Sequence, residues 1–236
     1  MSTILAIETS TELASAALLL EDRLYVRDTD GVKTHSDAVL PMVQQLLAEA
    51  GIRLEQCDAL AFGSGPGSFT GVRTAAGVVQ GLAFGSGRPV IPVVTLLAMA
   101  EACREQTGAN DIVPILDARM GEVYWAQYRF GPDGWREVSA PALAQPVGVA
   151  PKGEVLACGN GLQAYAEAFA GASFAAAGLP AVMPHARHIA RLARLAFARG
   201  ETLPAQEAQP LYLRNKVALT TSERMAKAGV AEGRET

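Results

Sequence analysis

The chain has 236 residues, a length that corresponds to one large domain or two smaller lobes. Half of the residues are hydrophobic and 19% are charged, so the chain can build a core and is too weakly charged for a disordered protein. The formal net charge is −4, from 20 Lys and Arg against 24 Asp and Glu. Because neutralising phosphates needs clustered positive charge, this balance excludes nucleic-acid binding by the whole surface.

The three cysteines, Cys57, Cys103 and Cys158, lie too far apart for a CxxC pair and are expected to be buried thiols in a reducing compartment. The N-terminus has no basic stretch before its apolar run and carries two glutamates, unlike a signal peptide. The longest stretch of low polarity, Pro89 to Ala100, is about half of the ~20 residues that cross a bilayer. These features predict a cytoplasmic protein without membrane contact.

Each half of the chain begins with the same sequence plan. Residues 4–7 and 14–20 predict a strand, a hydroxyl-rich turn and a returning strand, with a third short strand over 24–27. Residues 111–116 lead in the same way through a polar turn at 117–121 into an aromatic returning strand. This recurrence predicts a duplicated lobe. We expect an N-terminal lobe over residues 1–103, a C-terminal lobe over residues 104–213 and a polar tail over residues 214–236.

Three helices are predicted from apolar spacing. The first spans about Ser36 to Ala50, with Pro41 placing the regular start nearer Val39. The second, about Ser68 to Gly85, is apolar nearly all round, which is typical of a helix buried on more than one side. The third is amphipathic and spans His185 to Arg199. Between Phe130 and Gly153, Pro and Gly predict loops and short strands.

A glycine-rich segment, residues 63–71, lies between an apolar strand and the second helix. Glycines at a helix N-terminus permit phosphate binding by backbone amides, or simply a tight connection between closely packed elements. Close packing is favoured, because no lysine follows as a P-loop requires and the GxGxxG pattern is not matched.

The turn Thr9-Ser10-Thr11 offers hydroxyls and amides that could cradle a phosphate. The neighbouring carboxylates of Glu8 and Glu12 would repel that phosphate unless a divalent ion intervened. An ordinary polar turn is the favoured interpretation, and the three residues are kept as a weak phosphate-site prediction.

Two polar clusters have both a functional and a structural interpretation. Asp117, Arg119 and Glu122 could form an acid/base pair with an arginine clamp, but a turn-stabilising aspartate beside an ion pair is favoured. His185 and His188 could share a metal, but no third ligand has suitable spacing, so surface histidines are expected. No metal site is therefore predicted, and the sequence contains no His-x-x-x-His or Gly-x-Ser-x-Gly pattern.

An arginine stripe, Arg187, Arg191 and Arg194, lies on one side of the third predicted helix. Such a stripe could contact RNA phosphates, although a solvated helix face is favoured.

Three glycines recur every four residues in the second helix, at Gly77, Gly81 and Gly85, and so share one face. Each costs about 1 kcal/mol relative to alanine in a helix interior, and close approach of another helix is the natural compensation. One side of this helix is expected to pack on its own sheet. The other is expected to pack on a second polypeptide or on an intramolecular neighbour.

Four strings carry a resemblance to a known family: Ile4-Leu-Ala-Ile-Glu-Thr-Ser-Thr11, Ala61-Phe-Gly-Ser-Gly-Pro-Gly-Ser-Phe-Thr-Gly-Val-Arg73, Asp117-Ala-Arg-Met-Gly-Glu-Val-Tyr-Trp125 and Pro210-Leu-Tyr-Leu-Arg214. In this order they resemble the bacterial TsaB (YeaZ) family of tRNA threonylcarbamoyladenosine biosynthesis. The resemblance covers Thr3 to about Arg214.

The resemblance implies a two-lobed α/β fold of the sugar-kinase, Hsp70 and actin type with duplicated ribonuclease-H-like lobes. It implies a non-catalytic scaffold that docks a paralogue, TsaD, which carries the active site, together with the ATPase TsaE. The complex transfers threonylcarbamoyl to the tRNA adenosine beside the anticodon, so this chain would meet tRNA only indirectly. It also implies a homodimer when the chain is alone.

The resemblance further implies that helices of the N-terminal lobe form the pairing surface. The predicted interface residues are Val39, Met42, Val43, Leu46, Gly77, Gly81 and Gly85.

The sequence departs from active relatives of this fold at two places. An ungapped placement puts Thr95 and Met99 where the catalytic paralogue has two metal-binding histidines, and neither can replace imidazole. The first turn has Glu8 and no glycine, where nucleotide-binding members carry aspartate and glycine. These departures predict that nucleotide chemistry was lost and that no cofactor is bound, with ATP or ADP binding weak or absent. The alternative is an active ATP-dependent kinase or a peptidase of the same fold.

Overall fold

The computed structural model describes residues 2–29 and 35–214. Its first sheet has five strands in the order β3-β2-β1-β4-β5. The strands are β1 (Ile4–Glu8), β2 (Ser15–Leu20), β3 (Arg23–Asp28), β4 (Ala59–Gly65) and β5 (Val90–Val94). The first three form an antiparallel meander, whereas β4 pairs with β1 and β5 in parallel. The predicted opening strands are thereby confirmed.

The second sheet has four strands in the order β8-β7-β6-β9, which matches the order of the first four strands in the other sheet. The strands are β6 (Asp111–Arg119), β7 (Glu122–Gly131), β8 (Gly134–Ala144) and β9 (Leu156–Cys158). The prediction of loops and short strands between residues 130 and 153 was wrong, because β8 is an 11-residue strand. Pro141 is tolerated there because β8 is an edge strand, where a missing N–H costs no pairing on the outer side.

Helices cover both faces of the first sheet. On one face, α1 (His35–Ala50) and α2 (Phe69–Ser86) pack on Leu5, Ile7 and Phe62. The start of α1 near Val39 was predicted wrongly, because the helix continues through Pro41. Pro41 lies on the exposed side of α1, where the loss of a backbone N–H is tolerated. The predicted position of α2 is confirmed, with Ser68 as its N-cap.

The helix α3 (Thr95–Thr107) connects the two sheets and packs on the core of the second sheet through Leu96, Met99 and Cys103. Three one-turn helices, α4 (Gly161–Ala164), α5 (Ala166–Phe169) and α6 (Ser173–Ala176), follow β9 on the opposite face. Here Val113 and Ile115 of β6 pack with Leu162 and Phe169. All three cysteines are buried and free, as predicted.

The last long helix, α7 (Ala186–Ala198), returns to the first sheet. Its residues Ile189, Ala190 and Ala193 pack with Ile4 and Ala6 of β1 in one buried cluster. The predicted division into lobes over 1–103 and 104–213 is therefore corrected, because α7 belongs to the first sheet. The apolar stripe of α7 predicts that the helix packs on a sheet, but nothing in its local sequence specifies which of the two sheets it covers. Apart from Arg214, the predicted tail lies outside the described residues.

The two histidines at the start of α7, His188 and the N-cap His185, are buried, so the prediction of surface histidines was wrong. His188 Nε2 lies 2.9 Å from Glu105 Oε2 of α3, and His185 Nε2 lies 2.7 Å from Asp28 Oδ1 of β3. Burial lowers the pKa of both rings, that of His188 to about 4. Within residues 2–29 and 35–214, no three His, Cys, Asp or Glu side chains are placed to hold a metal ion.

None of the helices in residues 2–29 and 35–214 combines the length and apolar character needed to span a bilayer.

Candidate functional site

The glycine-rich segment packs directly against the turn between β1 and β2. The Ser68 N–H donates to the Ser10 carbonyl at 2.7 Å, and the Thr9 hydroxyl donates to the Gly71 carbonyl at 2.6 Å. A Cβ atom at Gly67 would lie 2.5 Å from the Ser10 oxygen, and one at Gly71 would lie 1.9 Å from the Thr9 oxygen. The glycines therefore permit close approach of two backbones, which supports the packing interpretation of this segment.

In this contact, hydrogen-bonding groups of the predicted phosphate turn are already bonded to the start of α2. Thr9 is fully buried and its hydroxyl is used on the helix, while the Ser10 carbonyl takes an amide at the N-terminus of α2. The Ser68 hydroxyl accepts the Gly71 N–H of the same helix end. A phosphate at this helix N-terminus would have to displace these bonds.

The carboxyl group of Glu8 is fully buried beneath the same turn. Its Oε1 accepts the Ser10 N–H at 2.5 Å, and its Oε2 accepts the Thr95 hydroxyl at 3.4 Å. Thr95 in turn accepts the Gly65 N–H at 3.1 Å, so one polar network ties β1, β4 and α3 together. Burial raises the pKa of Glu8, and the hydrogen bonds from Ser10 and Thr95 offset only part of that effect.

We expect Glu8→Gln to stabilise the protein near pH 8 and to have little effect near pH 4. With a raised pKa, the folded chain binds more protons than the unfolded chain above the ordinary glutamate value, so stability falls as pH rises through that window. A neutral glutamine removes this loss and can still accept the Ser10 N–H. Urea unfolding of both proteins at the two pH values measures the difference.

Glu12→Gln is the matched control, because this side chain in the same turn is 69% exposed. Its replacement should leave the pH dependence of the wild type unchanged. If Glu8→Gln changed stability equally at both pH values, the raised pKa of Glu8 would make no contribution to the pH dependence of folding.

A cleft of about 490 Å³ opens beside this turn, between the two sheets. Its opposite wall is the turn between β6 and β7, where Asp117 accepts the Arg119 N–H and the Tyr165 hydroxyl at 2.8 and 2.9 Å. Arg119 reaches across to Glu12, with Nη2 and Oε1 2.5 Å apart. These bonds support the turn-stabilising interpretation of Asp117 and Arg119. They also identify a contact between the two lobes that the sequence did not reveal.

The segment 208–214, here called the strap, runs along the mouth of the cleft. Gln80 donates to the Ala208 carbonyl at 2.8 Å, and the Leu211 N–H donates to the Ser64 carbonyl at 2.7 Å. Further on, Arg214 pairs with Glu122 of the second lobe. The strap therefore connects the two lobes, and Glu122 binds it rather than joining Asp117 in an acid/base pair.

The outer face of α2, formed by Gly77, Gly81, Phe84 and Gly85, is open. Apart from the adjacent residues and the backbone of the helix itself, no atom of the described residues lies within 4 Å of a Cβ placed at any of the three glycines. Phe84 beside them is 76% exposed. The intramolecular neighbour considered for this face is therefore absent from residues 2–29 and 35–214. The inner face packs on the sheet through Ala75, Ala76, Val79 and Ala83.

The apolar stripe of α1 does not belong to an open surface, and this part of the interface prediction is corrected. Val39, Met42, Val43 and Leu46 are at most 6% exposed and pack in the core of the first sheet. Their spacing places them on the one side of α1 that covers its own sheet. Leu40 lies on the other side of α1 and is 45% exposed. The spacing of apolar residues alone could not show which of the two sides faces a partner.

The arginine stripe of α7 is engaged in internal contacts. Arg191 pairs with Glu105 at 2.6 Å, and Arg194 donates to the Glu21 carbonyl at 2.9 Å. Arg187 lies beside the ring of His185. Phosphate contacts by these side chains would compete with the internal bonds, so a tRNA role for the stripe stays a prediction.

Comparisons with known proteins agree with this architecture. Residues 20–225 match the family model described as TsaD, tRNA N6-adenosine threonylcarbamoyltransferase. The chain is 39% identical to the tRNA threonylcarbamoyladenosine biosynthesis protein TsaB of Haemophilus influenzae, over 91% of this chain and 94% of that protein. It is 38% identical to the protein of the same name from Escherichia coli, over 91% and 96%.

A crystal structure titled YeaZ from Pseudomonas aeruginosa shares 42% identity and a TM-score of 0.84 over 90% of this chain and all of that one. The two sheets and the matched family model define the class as an α/β protein of the group that includes TsaD. Within it, the chain belongs to the TsaB (YeaZ) family, as the four sequence strings predicted.

The structure adds residues that sequence reasoning did not select. Phe84 completes the outer face of α2, and Tyr124, Asn160 and Tyr212 line the cleft. The last three come from β7, the start of α4 and the strap, so only the tertiary fold brings them together. For Phe84 a signal existed, because this large side chain lies between two of the spaced glycines.

Proposed function

We propose that this chain is a non-catalytic scaffold subunit in tRNA threonylcarbamoyladenosine synthesis, acting by docking a catalytic TsaD paralogue together with the ATPase TsaE. The single observation that carries the proposal is the open outer face of α2. Three glycines in register weaken a helix, and an exposed phenylalanine beside them is costly, unless a partner covers the face. The pathway in the proposal is taken from the relatives, which are named as proteins of tRNA threonylcarbamoyladenosine biosynthesis.

The docking surface is redefined by the burial of the α1 stripe. It consists of Gly77, Gly81, Phe84 and Gly85, with Leu40 on the exposed side of the neighbouring α1. The same surface is proposed to pair with a second copy when the chain is alone. Glycines would let the two helix axes approach closely, and Phe84 would fill the space beside the crossing.

The shared strand order of the two sheets supports the proposed fold family of sugar kinases, Hsp70 and actin, with duplicated ribonuclease-H-like lobes. In such a fold the cleft between lobes would hold a nucleotide. Here the helix N-terminus at the cleft is occupied by the Ser10 carbonyl and the turn carries the buried Glu8. These features support a subunit that acts by contact, without a nucleotide cofactor, in the cytoplasm where tRNA is modified.

Reconstituted modification of tRNA tests this function. TsaD, TsaE, threonylcarbamoyl-adenylate and tRNA are combined with and without the chain, and modified adenosine is measured by mass spectrometry. We expect product to depend on the chain and to fall at least about 100-fold with Phe84→Asp, because a charge would have to be buried at the contact. Val147→Asp is the matched control, since Val147 is 78% exposed on the other lobe.

An active enzyme of the same fold is the competing function, and the isolated chain can test it. ATP hydrolysis or peptide cleavage that disappears in Asp117→Ala would contradict the scaffold proposal. The carboxylate of Asp117 is engaged by Arg119 and Tyr165, which supports its structural role.

A further inference from the structure

The helix α2 carries a single charged residue, Arg73, which is exposed. Gly77 follows it by four residues, Gly81 by eight and Phe84 by eleven, so all four lie on one side of the helix. At about 1.5 Å of rise per residue, Arg73 lies roughly 16 Å from Phe84 along the helix axis. The open outer face of α2 therefore continues at its N-terminal end into one cation.

Two aromatic rings hold the guanidinium group of Arg73 in place. Its Cζ lies 3.2 Å from the centre of the Phe69 ring and 4.8 Å from the centre of the Tyr212 ring. Tyr212 belongs to the strap, which is attached to β4 by the bond from the Leu211 N–H to the Ser64 carbonyl. Much of the conformational entropy that a long arginine side chain would lose on binding is thus already lost in the free chain.

No carboxylate pairs with this cation among residues 2–29 and 35–214. The hydrogen bond that Arg73 makes there is from Nη1 to the Phe69 carbonyl, at 3.2 Å. Arg119 and Arg214, by contrast, each pair with a carboxylate. A guanidinium group has five N–H donors, so most donors of Arg73 are left for a group outside these residues.

A carboxylate fits this position better than a phosphate of RNA. A guanidinium group binds a carboxylate through two parallel hydrogen bonds, and a ring on each side keeps Arg73 in one orientation for them. Binding to RNA depends on several clustered cations, whereas Gly77, Gly81 and Phe84 beside Arg73 are uncharged. Protein interfaces, in contrast, are enriched in exactly such arginine and aromatic side chains.

We propose that Arg73 is a specificity-determining residue of the docking surface, and that the partner protein places an aspartate or glutamate side chain against it. This inference rests on the docking function proposed above and names the chemistry that the partner must offer. A second copy of the chain cannot supply the acid from α2, because α2 contains none. Arg73 therefore favours an acidic partner over pairing of two copies through this helix.

Calorimetric titration with purified TsaD at about 50 mM and about 500 mM NaCl tests the proposal. Arg73→Gln removes the charge and should weaken binding at low salt at least about tenfold. The wild type should lose affinity with salt more steeply than this variant, because salt screens the ion pair. Arg73→Lys keeps the charge without the planar fork, so it should keep the salt dependence and have an intermediate affinity.

Arg104→Gln is the matched control, because Arg104 of α3 also stacks on an aromatic ring, with Cζ 3.7 Å from the centre of Phe130. It should bind TsaD like the wild type. Light scattering measures self-association, which Arg73→Gln should leave unchanged or strengthen.

Double-mutant cycles identify the partner group. Each surface aspartate or glutamate of TsaD is replaced by its amide and combined with Arg73→Gln. For one acid, the two replacements should be non-additive by at least about tenfold in affinity.

The inference is overturned, with docking intact, if Phe84→Asp abolishes TsaD binding but Arg73→Gln has the affinity and the salt dependence of the wild type. Absence of binding by the wild type would overturn the docking function as well. Weaker tRNA binding by the assembled complex of Arg73→Gln, with unchanged TsaD affinity, would assign Arg73 to a phosphate instead. Self-association that falls as much as TsaD binding would contradict the preference for a partner over a copy.

Discussion

Gly81→Leu is expected to weaken pairing with a TsaD partner at least about 100-fold while the isolated chain stays folded. Gly81 lies at the centre of the outer face of α2, and a Cβ atom there would touch no atom of the described residues beyond its chain neighbours and the backbone of its own helix. The chain alone can therefore accept a leucine, which is also a better helix former than glycine by about 0.8 kcal/mol. A partner helix at close distance would have to move outward and lose its contacts along the face.

Titration calorimetry with purified TsaD measures the pairing, and light scattering measures self-association of the chain alone. A 100-fold loss corresponds to about 2.7 kcal/mol of binding free energy. Gln106→Leu is the matched control, since Gln106 is an exposed position of α3, remote from the outer face of α2. If Gly81→Leu binds TsaD as tightly as the wild type and melts at or above the wild-type temperature, the outer face of α2 is not part of the interface.

Gly81→Ala is a milder test of the same steric argument. A methyl group occupies much less of the approach distance than an isobutyl group, so the affinity should fall by a smaller factor. The isolated chain should gain up to about 1 kcal/mol of stability from the better helix former. Equal losses for alanine and leucine would indicate that flexibility of the glycine helix, and not space, is needed for pairing.

The sequence predicted the strands and helices better than the surfaces they form. The opening strands and α2 were located from the spacing of their apolar residues. The stripe Val39 to Leu46 was correctly recognised as apolar, but periodicity cannot tell a sheet-facing stripe from a partner-facing one. Burial decided this question, because the stripe fills the core beneath α1.

Long-range pairing accounts for the remaining errors. His185 and His188 are buried because α7 crosses back to the first sheet, where His185 meets Asp28 of β3 and His188 meets Glu105 of the neighbouring helix α3. The acids lie 157 and 83 residues away in sequence, so no local pattern could predict these pairs. The cleft shows the same dependence, since its walls come from Thr11, Tyr124 and Tyr212 on three distant segments.

Gly71→Ala is expected to destabilise the chain by at least about 3 kcal/mol, whereas Gly77→Ala should stabilise it by up to about 1 kcal/mol. Both replace a glycine of the same helix, so both gain helix propensity. At Gly71 the new Cβ would lie 1.9 Å from the Thr9 carbonyl oxygen, and that contact is between backbone and side chain, with no flexible group to yield. The turn and the helix would have to separate, breaking the Thr9 to Gly71 bond and disturbing the buried Glu8 network.

Urea unfolding at pH 7 measures both changes, and the difference between the two variants isolates the contact between the turn and the helix. Because the same contact closes one wall of the cleft, Gly71→Ala should also increase amide exchange at Ser10 and Ser68, which Gly77→Ala should leave unchanged. Equal stability of the two variants would show that the turn tolerates displacement. The glycine-rich segment would then not be required for packing, and its phosphate-binding interpretation would regain support.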